Sequence, residues 1–193
     1  MAIADHIRTT AIVLQINQWR YPYPAIILAF PLRSTMPSTR HSALGLTLWL
    51  LVTFAAPGIG AFLGAPDEWF KMLAKPSWNP PSWLFGPVWT TLYVLMAVAA
   101  WLVWRQGGFA RQRGPLALYL IQLTLNAAWT PVFFGLHAPG PAFAVIAVLW
   151  IGIFATMVAF RKAHRTAAWL LAPYLAWVSF ASVLNFTIWR LNA

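Results

Sequence analysis

Four long stretches of this 193-residue chain contain no Asp, Glu, Lys or Arg. They cover residues 42–66, 76–104, 114–160 and 166–189. Because about 20 apolar residues let a helix cross the hydrocarbon of a bilayer, the first, second and fourth stretches each hold one span. The third holds two, divided at residues 135–141, where Gly and Pro favour a turn. The sequence therefore predicts five membrane-spanning helices, over residues 44–64, 81–104, 115–134, 141–160 and 167–189.

The composition is also that of a membrane protein. Apolar residues make up 61% of the chain and charged residues 8%, so five buried helices of a soluble protein would have no polar face to cover them. The expected fold class is therefore an all-α membrane protein, a bundle of five transmembrane helices. The chain has no cysteine, which excludes disulfides, thiol catalysis and Cys-based metal sites.

The basic residues are divided unequally between the two ends of the predicted bundle. With alternating spans, ten of the 13 Lys and Arg residues fall at one end, and three fall at the other together with Asp67 and Glu68. The positive-inside rule then predicts a cytoplasmic N-terminus, and it places the loop after the first span and the C-terminus in the periplasm or an equivalent compartment. Helical spans favour the inner membrane of a bacterial cell. The net charge of +10 is assigned to topology and anionic lipid, and no nucleic-acid partner is expected because the charges form no stripe.

Residues 1–35 differ from the rest of the chain. Their only apolar run, residues 21–32, is about 12 residues long and carries three prolines, so it is too short and too broken to span a bilayer. Two interpretations remain open: an upstream extension of the reading frame with the true start at Met36, or an amphipathic tail at the membrane interface. In both cases we expect this segment to be poorly packed and the five-helix domain to cover residues 36–193.

A structured loop rich in tryptophan and proline is predicted between the first and second spans. Residues 69–93 read WFKMLAKPSWNPPSWLFGPVWTTLY. Because proline fixes φ and restricts the residue before it, we expect an extended and stiff entry to the second span. The tryptophans place large flat rings along this entry, which indicates the mouth of a hydrophobic pocket.

A short helix is predicted at the start of this loop. Residues 66–75 carry Pro66 at the first position, two acids in the first turn and lysines later, as is typical of a helix aligned with its dipole. Asp67 and Lys71 stand four residues apart and would pair on the wet face. Pro76 would end the helix.

Three spans place aromatic and amide side chains on one face. These sets are Phe85, Trp89, Tyr93 and Met96 on the second span, Gln122, Asn126, Trp129 and Phe133 on the third, and Tyr174, Trp177, Ala181 and Asn185 on the fifth. Amides without partners are costly in hydrocarbon. Gln122, Asn126 and Asn185 must therefore bond to another helix, to the backbone or to a ligand, and the residues alone leave these alternatives open.

The motifs on these segments resemble the TspO/MBR family, which comprises tryptophan-rich sensory proteins and peripheral benzodiazepine receptors, or translocator proteins. The family pattern W-[YF]-x2-L-x-K-P-x-[WF]-x-P-P, followed by F-x-P-x-W-x2-L-Y, is met by Trp69, Phe70, Leu73, Lys75, Pro76, Trp78, Pro80, Pro81, Phe85, Pro87, Trp89, Leu92 and Tyr93. The patterns Q-L-x-L-N-x2-W and P-Y-x2-W…L-N are met by Gln122, Leu123, Leu125, Asn126 and Trp129 and by Pro173, Tyr174, Trp177, Leu184 and Asn185. The resemblance covers residues 46–192.

The resemblance implies a five-helix bundle that binds flat hydrophobic ligands in a cavity beneath the loop between helices 1 and 2. The implied function is the sensing or transport of tetrapyrroles. Porphyrins and haem are the implied ligands, with sterols and isoquinoline or benzodiazepine drugs as further classes, and no cofactor is required. By motif position the cavity would be lined by Phe70, Pro80, Trp89, Tyr93, Asn126, Phe133, Trp177 and Ala181. The lid would contain Trp69, Lys75, Trp78, Pro81 and Trp83.

The resemblance also assigns roles to these residues. Trp89, Tyr93 and Trp177 would stack on a flat ligand, and Asn126 would supply the oriented hydrogen bond. Phe70 replaces the Tyr common in the family, and Phe186 lies near the Tyr position of a proposed sterol pattern, which is itself weak. These departures favour a tetrapyrrole over a sterol. A homodimer is implied, and small residues that could form its interface are Gly60, Gly64 and Ala128.

No catalytic constellation is recognisable in the sequence. The four histidines show no metal-ligand spacing, and no predicted span contains an acid that could relay protons. The lack of intramembrane charges and of inverted repeats also disfavours an ion-coupled transporter. The one enzymatic alternative, implied by the resemblance, is light-driven porphyrin breakdown, in which the excited porphyrin carries the chemistry. Its candidate electron donors are Trp69, Trp78, Trp83 and Trp89.

Overall fold

The computed structural model of the protein describes residues 39–193, with side chains from Ser42 onward. The predicted N-terminal extension, residues 1–35, lies outside the described residues, as do the alternatives concerning its role. Within residues 39–193 the chain forms helices and no β-strand.

Seven α-helices and one π-helical turn make up the described chain. In order they are α1 (Thr39–Leu63), α2 (Glu68–Met72), α3 (Ser82–Trp104), α4 (Gly108–Thr130), the π turn (Pro131–Gly135), α5 (Pro139–Ala163), α6 (Arg165–Leu170) and α7 (Ala172–Leu191).

Within residues 39–193, five segments are long and apolar enough to cross a membrane, as the sequence predicts. They are formed by α1, by α3, by α4 with the π turn, by α5, and by α6 with α7. The protein is therefore an integral multi-pass membrane protein with a five-helix fold. The short helix α2 lies in the loop between the first two spans, residues 64–81, and we call this loop the lid.

Two spans differ from their predicted form. The third begins at Gly108 rather than at residue 115, because arginines in the first turns of a helix can stand outside the hydrocarbon. The fifth is divided at Leu171, two residues before Pro173. Pro173 has no N–H to continue the hydrogen-bond ladder, so α6 and α7 are separate helices of one span.

The π turn follows directly from a proline at the end of α4. The N–H of Leu136 bonds to the carbonyl of Pro131 at 2.9 Å, a bond that spans five residues instead of four. This widened turn carries Phe133 and Phe134 into the lid end of the bundle. Single π turns of this kind are often found at functional sites.

Gly60 and Gly64 pack α1 against α4 and the π turn of the same chain. A Cβ on Gly64 would lie 2.8 Å from both the Gly135 nitrogen and the Pro131 Cα, and a Cβ on Gly60 would lie 3.2 Å from the Ala127 carbonyl. Both glycines thus let two segments of one protomer approach closely. The homodimer, and an interface that uses Gly60, Gly64 and Ala128, stay predictions.

Candidate functional site

The lid helix α2 is capped by Asp67. Its carboxylate Oδ1 accepts the N–H of Phe70 at 3.2 Å, so the helix begins at Glu68 and not at Pro66 as the sequence predicts. Lys71 pairs with Glu68 at 2.6 Å, and the predicted pair between Asp67 and Lys71 is wrong. A capping side chain faces the first turn, which takes Asp67 away from Lys71. The helix ends at Met72, before Pro76 is reached.

The second oxygen of Asp67 contacts His137, which follows the π turn. Asp67 Oδ2 and His137 Nε2 are 2.8 Å apart, and the imidazole stacks on Trp69 with centroids 4.3 Å apart. Partial desolvation of the Asp67 carboxyl acts to raise its pKa, but hydrogen bonds from His137 and the Phe70 amide outweigh it, so the pKa lies below the ordinary value. Sequence reasoning missed this role of His137, because no local pattern links residues so far apart.

Lys75 closes the other end of the lid helix. Its ammonium donates to the carbonyls of Phe70 and Leu73, the second at 3.1 Å, and lies 4.5 Å from the centroid of the Phe70 ring. A cation at this place satisfies carbonyls that have no intrahelical partner. Lys75 therefore orders the lid from within.

A second attachment joins the lid to the C-terminus of α7. The side-chain amide of Asn192 accepts the N–H of Ala74 and donates to its carbonyl, both at 2.9 Å. It also donates to the carbonyl of Ile188 at 2.7 Å. The side-chain amide of Asn192 thus pairs with both backbone polar groups of Ala74 and attaches the lid to α7. Sequence reasoning missed this contact because no local pattern links residues so far apart.

Aromatic side chains fill the space beneath the lid. Trp69 and Phe70 meet the buried ring of Phe133 edge to face, with centroids 6.0 and 6.1 Å apart, and Trp129 stacks on Phe133 at 5.0 Å. Edge-to-face and offset-stacked pairs of this kind are the favoured arrangements of aromatic rings. The lid rings therefore pack directly on α4 and the π turn.

A second group of rings joins the segment after α2, residues 73–81, to α3 and α7. Trp177 meets Phe85 and Phe180 with centroids 5.8 and 5.5 Å apart, and Phe180 meets Trp78 at 5.8 Å. Deeper in the bundle, Trp89 stacks on Tyr93 at 5.3 Å. We call both groups together the aromatic cluster: Trp69, Phe70, Trp78, Phe85, Trp89, Tyr93, Trp129, Phe133, Trp177 and Phe180.

Three of the remaining predicted site residues have other places in the fold. Pro80 is half-buried and its carbonyl accepts the Asn79 amide at 3.0 Å, Pro81 is the N-cap of α3, and Ala181 packs against the core. Trp83 is not brought to the others, because 72% of its surface is exposed on the outside of the bundle. An indole there suits the membrane interface better than the mouth of a pocket.

The amide of Asn126 is engaged within the bundle. Its Oδ1 accepts the Tyr93 hydroxyl at 2.8 Å, and its Nδ2 donates to the Tyr174 hydroxyl at 3.1 Å. The Tyr174 hydroxyl in turn donates to Gln122 Oε1 at 3.1 Å. These buried bonds join α3, α4 and α7. Of the three kinds of partner left open by the sequence, Asn126 therefore uses other helices in this structure.

Asn185 is engaged in the same way. Its Oδ1 accepts the indole N–H of Trp129 at 2.9 Å, and its Nδ2 donates to the carbonyl of Pro139 at 2.8 Å. The amide therefore joins α7 to α4 and to the start of α5. Within hydrocarbon, satisfied amides of this kind hold helices together.

Two buried polar atoms of the described chain have no hydrogen-bond partner, and they are Trp177 Nε1 and Gln122 Nε2. The indole N–H of Trp177 belongs to the aromatic cluster, between Phe85 and Phe180. No three His, Asp or Glu residues within residues 39–193 come close enough together to hold a metal ion. What this site offers chemically is therefore a set of flat apolar faces and one open donor.

Comparison with known proteins agrees with the five-span fold. The model of the TspO/MBR family matches residues 46–190. The tryptophan-rich protein TspO of Chlorobaculum tepidum is 45% identical over 152 residues, which cover 78% of this chain and 94% of that protein. The tryptophan-rich sensory protein of Cereibacter sphaeroides is 44% identical over 147 residues, 76% of this chain and 91% of that protein. The translocator protein of Homo sapiens is 42% identical over 158 residues, 78% of this chain and 89% of that protein. With its five spans and its tryptophan-rich lid, this chain belongs to the TspO/MBR family.

Proposed function

We propose that this protein binds flat tetrapyrroles, porphyrin or haem, within the aromatic cluster beneath the lid, and that it serves in their sensing or transport. The names of the relatives, sensory protein and translocator protein, support both uses. The bias of basic residues supports a lid on the periplasmic side of an inner membrane. Sterols and isoquinoline or benzodiazepine drugs are the other flat ligands that such a site would accept.

The open indole N–H of Trp177 carries this proposal. A buried donor without a partner costs about 1–3 kcal/mol, so a ligand that brings an acceptor to it gains that free energy on binding. The acid side chains of a porphyrin supply such acceptors, and its ring supplies a flat face for Trp177 and Trp89. Asn126 is already satisfied, which makes Trp177 the better candidate for the oriented hydrogen bond.

The lid is the part of the site that must move when a ligand enters. Trp69 and Phe70 contact Phe133 directly, so a ring inserted between them would separate these pairs. The lid is held to the bundle by the side chains of Asp67 and Asn192. Opening it would break few contacts compared with separating two spans, because it is a five-residue helix with no fully buried residue.

The test is a titration of the purified protein in detergent with protoporphyrin IX in the dark, following tryptophan emission. We expect saturable quenching. Trp177→Phe, which keeps a ring and removes the donor, should weaken binding about five-fold, as expected for one hydrogen bond. Trp89→Ala should weaken it at least as much. The matched control is Trp169→Phe, because Trp169 lies in α6 and is 75% exposed. Unchanged affinity in folded Trp177 and Trp89 variants would refute the proposed site.

Light-dependent porphyrin degradation is the alternative function. Trp69, Trp78 and Trp89 each contact another ring of the aromatic cluster, which favours them over the exposed Trp83 as electron donors to an excited porphyrin. The same titration under illumination separates the two functions. Loss of porphyrin absorbance that needs the protein would support an enzyme, and a stable spectrum would support a binding protein.

A further inference from the structure

A groove of about 370 Å³ lies between α4 and α5, at the end of the bundle opposite the lid. Its floor is apolar and includes Pro115, Leu118 and Ala159, while its polar lining comes from Gln112 and Lys162. The volume lies in the lower part of the range of small-molecule sites, roughly 300–1,000 Å³. None of these residues belongs to the aromatic cluster.

The backbone of α4 is interrupted where the groove lies. Gln112 has φ −117° and ψ 28°, outside the helical region, and Pro115 has no N–H to continue the ladder. A Cβ built on Gly114, which also lines the groove, has no heavy atom within 4 Å. A Cβ added at this edge of the groove therefore meets no other atom.

Among the side chains of residues 42–193, the charge at this end of the bundle is of one sign. The charged side chains of these residues here are Arg105, Arg111, Arg113, Arg161, Lys162 and Arg165. The two acids of the described chain, Asp67 and Glu68, lie at the lid and contact His137 and Lys71. No salt bridge within the described residues involves any of the six cations. A positive field without a protein counter-charge attracts anions from its surroundings.

We propose that this groove binds the phosphate and glycerol region of an anionic phospholipid from the surrounding bilayer. The Lys162 ammonium and the Gln112 amide are the donors for phosphate oxygens, and charge-assisted bonds of this type are the stronger ones. The apolar floor takes the first carbons of the acyl chains. A soluble phosphate would gain nothing from that floor, and a zwitterionic lipid would find no acid for its cationic group. This inference is independent of the tetrapyrrole site.

Native mass spectrometry of the detergent-solubilised protein with added phosphatidylglycerol or phosphatidylcholine tests this proposal. The unaltered protein should retain phosphatidylglycerol about five-fold better than phosphatidylcholine. Gly114→Phe should abolish this preference, because it fills the groove and leaves every charge in place. The control is Gly58→Phe, since Gly58 is exposed on α1 and a Cβ there also meets nothing within 4 Å. Lys162→Gln should lower the preference, and Lys162→Arg should keep it.

Three results would overturn the proposal. An unaltered preference in folded Gly114→Phe would assign the selectivity to the basic surface as a whole. Displacement of phosphatidylglycerol by millimolar inorganic phosphate would identify a site for a free anion. Equal retention of phosphatidylcholine would exclude recognition of the lipid charge. If Gly114→Phe fails to fold, the test is the comparison of Lys162→Gln with Lys162→Arg. Equal retention of phosphatidylglycerol by these two variants would also overturn the proposal.

Discussion

The Asp67 carboxylate lies 2.8 Å from the His137 imidazole, although 70 residues separate them in the chain. Asp67 is at the same time the N-cap of the lid helix, and the same imidazole stacks on Trp69. His137 holds a left-handed backbone conformation with φ 51°, which an amino acid other than glycine adopts only when its surroundings support it. One contact therefore orders the start of the lid, orients Trp69 and supports the turn before α5.

The first prediction concerns this contact. His137→Ala should raise the hydrogen-exchange rate of the lid amides, that of Phe70 among them, while thermal unfolding of the bundle changes little. The two side chains are 43% and 47% exposed, and solvent screening leaves exposed pairs with little effect on global stability. Lys71→Ala is the control, because it breaks an exposed pair within the lid without touching His137. Equal exchange in both variants would contradict the role assigned to His137.

A second prediction is the pH dependence of the same lid. Hydrogen bonds hold the pKa of Asp67 below its ordinary value of 3.8 despite partial desolvation. A depressed pKa stabilises the folded lid at pH values above 3.8, and this contribution is lost as the pH falls through the lower folded value. Protection factors of the lid amides should therefore fall in acid. Asp67→Asn should abolish this dependence while keeping an N-cap, since asparagine caps as well as aspartate.

The third prediction concerns the buried amide of α4. Asn126→Ala leaves the Tyr93 hydroxyl without its acceptor, while the Tyr174 hydroxyl keeps its bond to Gln122, and one unsatisfied buried group costs about 1–3 kcal/mol. We expect a clear loss of thermal stability in detergent. Thr124→Ala is the control, because Thr124 is exposed on the same helix and bonds only to the carbonyl of Leu120. An Asn126 variant as stable as the control would mean that these bonds contribute nothing measurable.

The fourth prediction concerns the closest approach of α1 to the π turn. Gly64→Ala should destabilise the bundle by about 1–3 kcal/mol, as overpacking does. Its Cβ would meet backbone atoms of Pro131 and Gly135 that cannot rotate away. Gly58→Ala adds the same methyl group where nothing lies within 4 Å, and it should be neutral or slightly stabilising. Thermal unfolding in detergent compares the two, and the reverse order would refute the packing described.

The lid shows where sequence-based prediction ends. The short helix itself was predictable from the order of its acids and lysines, and its existence is confirmed. The residue at which the helix begins and the partner of Lys71 were not predictable. The rule that side chains four residues apart can pair considers one isolated helix and ignores contacts from the rest of the fold. Asp67 is drawn instead to the Phe70 amide and to His137, and the second of these contacts depends on how the π turn packs.

Hydropathy, turn chemistry and motif spacing are properties of short segments, so the residues alone were enough to predict the five spans, the short helix of the lid and the family. Which groups meet is visible only in the folded bundle: Asn126 with Tyr93 and Tyr174, Asn192 with Ala74, and Gly64 with the π turn of its own chain. A buried amide or a small residue needs a partner, but nothing in its own segment says which residue that partner is. The partner is supplied by a distant segment, once all the helices have packed.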